Sequence, residues 1–173
     1  EKTEEDIKVS MSVIGDIMCH NSQYNDAYKN GEYDFSYVFD DIKEHIETAD
    51  LAIGNLETTF AGKDRGYASY PTFNTPEILA QDLKELGIDV VSTANNHSLD
   101  TGYKGIESTI DYLDEAGILH TGTYKSVEDQ ENIVIKEVNG LKFAFLAYTY
   151  GTNGIPVPSG REYCINKKTF RYS

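Results

Sequence analysis

Polar and apolar positions alternate from Ile7 to Ile14. Ile7, Val9, Met11 and Val13 fall on one side, and this period of two predicts a first strand. The period then lengthens. Asp34 is placed to cap a helix over Phe35 to Thr48, with Val38, Ile42 and Ile46 on one face. Leu51-Ala52-Ile53 reads as a second strand. Thr75 as N-cap and Pro76 at the first helical position open another helix, whose apolar face is Ile78, Leu79, Leu83 and Leu86 and whose stop is Gly87. A third strand runs from Ile88 to Ser92. Tyr103 to Ala116 is helical in pattern, with Ile106, Ile110 and Leu113 inward and Gly117 as terminator, and Ile118-Leu119 begins a fourth strand. From Asn132 the pattern changes to two strand-like arms around Asn139-Gly140, a hairpin signal. The second arm, Leu141 to Tyr148, is nearly all apolar, as expected of a buried central strand.

Strands alternating with helices, followed by a hairpin, predict an α/β layer fold with a mixed sheet. Right-handed crossovers would place the carboxyl ends of strands one to four along one edge, where ligands sit in open α/β folds. Residues 21–34 are polar, with a turn at Asn30-Gly31. Residues 61–74, rich in glycine and tyrosine, read equally as a lid and as a surface excursion.

Composition narrows the function classes. A chain of 173 residues with 39% hydrophobic content suffices for one domain, 7–173, after a polar leader at 1–6. The net charge of −14, from 29 acidic and 15 basic residues, argues against nucleic acid and anionic membranes as partners. It would also repel a polyanionic polymer unless a metal or a local basic patch intervenes. Cys19 and Cys164 are too few for a disulfide scaffold and lack zinc spacing. No stretch reads as a membrane span or a signal peptide.

Candidate chemistry concentrates where the predicted strands end. Gly15-Asp16 follows the first strand, and a carboxylate there suits a hard divalent cation. His20, four residues on, would share a helical face with Asp16. Gly54-Asn55-Leu56-Glu57 follows the second strand: Asn55 can brace the turn, and Glu57 can bridge metals or act as a base. Asn95-Asn96-His97 follows the third, offering a neutral oxygen ligand and a proton donor, with Asp100 placed to orient the imidazole. Singly, each string also reads as ordinary turn residues. Their recurrence at three successive strand ends favours a metal-dependent hydrolytic site. His120 ends the fourth strand and is a weaker candidate for the same edge. His45 is assigned to a helix surface.

Gly15-Asp16-Ile17-Met18, Asn55-Leu56-Glu57 and Asn95-Asn96-His97-Ser98-Leu99-Asp100-Thr101-Gly102, with Gly105-Ile106 and Thr109 beyond, resemble the CapA/PgsA family of bacterial capsule and poly-γ-glutamate synthesis proteins over roughly residues 8–150. That family looks like a branch of the calcineurin-like metallophosphoesterases. The resemblance implies an α/β/β/α sandwich, of which this chain would be the N-terminal part. It also implies an extracellular protein, tethered to the membrane by a segment outside this chain and acting with capsule polymer or its synthesis complex. By the superfamily pattern, Asn96 and Asp16 match metal ligands, with His20 and Glu57 as further candidates, and His97 matches the general acid beside Asp100. The ion would be manganese, zinc or magnesium. Two departures stand out. Ile17-Met18, not a histidine two residues on, follows Asp16, and no histidine follows His120. Three functions remain open: a metal-dependent hydrolase acting on a phosphoester or surface polymer, a non-catalytic module that binds polymer or partner proteins, and a structural surface protein.

Overall fold

The computed structural model describes residues 6–168. The first five residues of the predicted leader and residues 169–173 lie outside them. Four parallel strands form the central sheet: β1 (Met11–Ile17), β4 (Leu51–Leu56), β5 (Val90–Ser92) and β6 (Leu119–Thr121), in the order β1-β4-β5-β6. Between β1 and β4 come α1 (Asn21–Ala27), the ribbon β2 (Tyr28–Lys29) and β3 (Glu32–Tyr33), and α2 (Lys43–Glu47). The remaining elements are α3 (Ile78–Leu86), α4 (Gly102–Ala116), α5 (Val127–Glu131), β7 (Val134–Val138) and β8 (Leu141–Phe145).

The sheet has two unlike faces because strand side chains alternate. Ala52, Leu56 and Val91 point into a cluster with Leu79, Ala80, Leu83 and Leu86 of α3 and Leu113 of α4. Leu51 and Val90 point the other way, against Val138, Phe143 and Phe145 of the β7-β8 hairpin. The order is therefore helices, parallel sheet, hairpin. This is an α/β fold, with the antiparallel pair forming its own two-stranded sheet.

Gly87 and Gly117 end α3 and α4 in the left-handed conformation, at φ 105° and 72°. The Asn139-Gly140 turn has φ 50° and 80°, the two positive angles that a tight hairpin turn requires.

Four expectations are corrected. The first strand starts at Met11 and runs through Gly15-Asp16, so those residues lie within the strand rather than after it. The helix predicted over 35–48 is broken into a 3-10 turn, Ser36–Phe39, and the short α2. Asp34 accepts from the Ser36 N–H at 2.9 Å ahead of that turn, whose cap position is held by Phe35, while Val38 and Ile42 stay exposed. Thr75 is not the N-cap of α3, since its buried hydroxyl bonds to Thr58 at 2.7 Å and Glu77 holds the cap position. The apolar arm β8 is not a central strand. Among the described residues it pairs only with β7, and Leu141 is 39% exposed.

Candidate active site

Parallel pairing brings the strand ends into line. Asp16 is level with Asn55, Asn55 with Ser92, and Ser92 with Thr121. Asp16 owes its place to a bulge. Val13 pairs with Ile53, so a regular ladder would set Gly15 opposite Asn55 and turn Asp16 to the other face. The register shifts between Val13 and Asp16, and the aspartate arrives beside Asn55 instead. The Asn55 side-chain amide then donates to Asp16 Oδ1 at 2.8 Å and to Glu57 Oε2 at 3.3 Å. Its carbonyl oxygen accepts from Ser92 Oγ at 2.9 Å and from Asn95 Nδ2 at 3.3 Å, which settles the orientation of the amide.

The loop after β5 is closed on itself. Ser98 Oγ donates to the Thr93 carbonyl at 2.6 Å and accepts from the Asn95 N–H at 2.8 Å. Asn95 Nδ2 donates to the Leu56 carbonyl at 2.8 Å and ties this loop to the end of β4. His97 is thereby held in a buried position with Nδ1 2.8 Å from Asp100 Oδ2. A carboxylate accepts, so Nδ1 carries the proton and Nε2 faces Glu57 Oε1 at 3.9 Å. Asp100 is fully buried at its side chain and also accepts from the Phe73 N–H at 2.7 Å. The Phe73 ring packs edge-on against His97 at 4.8 Å and against His20 at 5.4 Å.

The acidic groups are pushed in different directions. The Asn55 amide, then the contact with Glu57, hold Asp16 below the usual carboxylate range. Burial, then the hydrogen bond and charge of Asp16, raise Glu57. Burial raises Asp100 against the Phe73 and His97 hydrogen bonds that lower it. Asp16 is therefore the group that stays ionised while Glu57 more readily keeps a proton, a separation suited to acid–base work.

The six nominated residues divide. Asp16, Glu57, His97 and Asp100 are joined through Asn55 and direct contacts. His20 instead caps α1, exchanging bonds with Gln23, and Asn96 is exposed and bonds to Asn153 at 3.3 Å. Among the described residues no three or more His, Cys, Asp or Glu side chains make a set that could hold a metal ion. Asp16 and Glu57 adjoin each other, with the Asn55 amide bonded to both and the His97 ring facing Glu57. His120 bonds Asp114 on α4 at 3.1 Å and is not part of this cluster.

Asn153 carried no signal in the sequence. A turn with φ 50° at Asn153 and 80° at Gly154 delivers its amide to Asn96 and to within 3.4 Å of His97 Nδ1. Residues 61–74, a lid or a surface excursion in sequence, are pinned under the site. Asn74 bonds to Ala61, Gly62 and Gly66, and Thr59 Oγ1 donates to the Phe73 carbonyl at 2.7 Å.

Comparison with known proteins agrees with the motifs. The chain is 30% identical over 152 residues to the capsule biosynthesis protein CapA of Bacillus anthracis, covering 86% of this chain and 36% of that protein. It is 25% identical over 151 residues to the PGA biosynthesis protein CapA of Bacillus subtilis, covering 86% and 39%. An uncharacterized protein of Sinorhizobium fredii, y4uA, is 35% identical over 124 residues, covering 68% and 25%. The chain thus spans little more than a third of the length of the two CapA relatives. The pattern of the bacterial capsule synthesis protein PGA_cap matches residues 10–171, and the chain belongs to that family.

Proposed function

We propose that this chain carries the acid–base part of a hydrolytic site used in capsule biosynthesis, acting on a phosphoester or a cell-surface polymer. The supporting observation is the buried His97–Asp100 pair facing the Asp16–Glu57 carboxylates at the ends of three parallel strands. Asp100 fixes the orientation of the imidazole through Nδ1. Nε2 is the atom that would hand a proton to a leaving oxygen. Phe73 shields one side of the ring from water. Asp16 and Glu57 would hold a manganese, zinc or magnesium ion, which when bound supplies Lewis acidity and a more acidic water. The names of the Bacillus relatives support a place at the cell surface with capsule polymer or its synthesis complex. A membrane tether is part of this reading, and no helix among the described residues is long and apolar enough to provide it.

The test is hydrolysis of bis(p-nitrophenyl) phosphate by the full chain with Mn²⁺. His97→Ala is expected to lower the rate by about a hundredfold or more, the usual worth of a positioned general acid. A wild-type rate in His97→Ala overturns the assignment. Absence of hydrolysis by the wild type favours the non-catalytic binding module.

A further inference from the structure

A cleft of about 540 Å³ opens between the loop after β5 and the segment 148–154, lined by Asn95, Asn96, Tyr148, Thr149, Thr152 and Asn153 among others. We propose that it is a subsite for an uncharged, hydroxyl-rich chain, a neutral glycan segment laid along Tyr148 with one end at His97. The placement at His97 rests on the hydrolytic reading, whereas the glycan affinity does not.

The composition of the lining carries the argument. A quarter of this protein is charged, with a net charge of −14, yet among the described residues no Asp, Glu, Lys or Arg lines this cleft. Three side-chain amides line it instead. Asn95 is spent on Leu56, Asn55 and the His97 N–H, while Asn96 and Asn153, bonded to each other, present the amide groups left over, the complement that adjacent sugar hydroxyls satisfy. Tyr148 is 59% exposed beside them, an aromatic surface on which the apolar face of a pyranose can lie. A polyanion would find no counter-charge among the described residues of the lining.

The cleft is also built rather than incidental. Thr149 Oγ1 donates to the Gly151 carbonyl at 2.8 Å, and Thr152 Oγ1 to the Ile155 carbonyl at 2.6 Å. Thr149 N donates to the Asn166 carbonyl at 2.9 Å and anchors the segment. Its tip, Asn153, bonds Asn96 across the cleft and reaches the His97 ring, so a ligand lying there ends beside the imidazole. Lys167 and Lys168 line an adjoining cleft that shares Gly151, Thr152 and Gly154 with this one.

The test is a calorimetric and NMR titration of the full chain with chitohexaose, alongside a poly-γ-glutamate oligomer. Saturable chitohexaose binding is expected. Tyr148→Ala and Asn153→Gly, the latter preserving the positive φ, should each weaken it about fivefold or more. Circular dichroism of both variants checks that the fold is kept. Glu57→Gln, outside the cleft, should bind the glycan like wild type whatever happens to hydrolysis, so loss of the hydrolytic reading leaves this result standing. Three outcomes overturn the proposal: no saturable glycan binding at millimolar concentration, wild-type binding by both cleft variants, or tighter binding of the anionic oligomer.

Discussion

On the helix side of the sheet, Ala52, Leu56 and Val91 are sealed beneath Leu79, Leu83 and Leu86. On the hairpin side, Leu51 and Val90 are equally sealed, but Met11 and Val13, one strand over, are 46% and 69% exposed. Met11 pairs with Leu51 and Val13 with Ile53, so all four residues share that face. The difference is one of width. Adjacent strands lie about 4.8 Å apart, so a two-stranded hairpin covers about half the breadth of four strands. β7 lies near β6, and β1 at the opposite edge is left bare. The site belongs to this less covered face, since Asn55 and Ser92 continue the alternation of Leu51-Ile53 and of Val90. A sealed face holds the fold together, and an open one admits a ligand.

Leu83→Ala should break the contrast at its strongest point. Leu83 is fully buried in the helix-side cluster, so its truncation is expected to cost about 3 kcal/mol in urea unfolding. A loss below about 1 kcal/mol would mean that this face repacks freely and is no better sealed than the other.

Gly54→Ala probes the same face by overfilling it. A methyl at Gly54 would sit 2.7 Å from Ile17 Cδ1 and 3.2 Å from Ile14 Cγ1. The nearer atom is the end of a side chain that can turn aside, so strain of about 1–2 kcal/mol is expected, within the range for overpacked cores. An unchanged melting temperature would show slack between β1 and β4.

These elements differ in how much the sequence revealed. Helix α4 was legible because its apolar positions recur on one face and Gly117 stops it, and the Asn139-Gly140 turn was legible because few other pairs accept two positive φ angles. The 35–48 helix was not, because Val38 and Ile42 satisfy a helical period without a surface to bury against. At the site, Asp16, Glu57, His97 and Asp100 could be nominated from local strings and are brought together. The bulge that turns Asp16 toward Asn55 is a matter of register with a strand 39 residues away. Asn153 meets Asn96 across 57 residues, and no local pattern encodes that distance.

A smaller effect is expected at Asp82, where the helix side carries a half-buried carboxylate. Its Oδ2 accepts from the Phe35 N–H at 2.8 Å, which lowers its pKa, but burial outweighs this and raises it. A carboxyl with a raised folded-state pKa contributes stability below the ordinary carboxylate pKa of about 4, and that contribution is lost as pH rises through the raised value. Asp82→Asn keeps an acceptor for Phe35 and removes the titration. Urea midpoints at pH 4 and pH 7 should show the variant gaining on wild type at the higher pH. A constant difference between the two proteins would remove Asp82 from the account.

The smallest effect is expected on the open side, at Val13. The register places it on the hairpin face, but among the described residues no layer covers it, so little apolar burial is at stake. Threonine keeps the branched β-carbon and the strand preference of valine. Val13→Thr should therefore change stability by less than about 0.5 kcal/mol, as for an ordinary surface substitution. The comparison with Leu83→Ala then spans several-fold in energy between residues that are both apolar and lie on opposite sides of one sheet. A loss above about 1 kcal/mol in Val13→Thr would mean that β1 is buried in solution by something that the hairpin does not supply. Sedimentation of wild type and variant would then show whether that cover is a second copy of the chain.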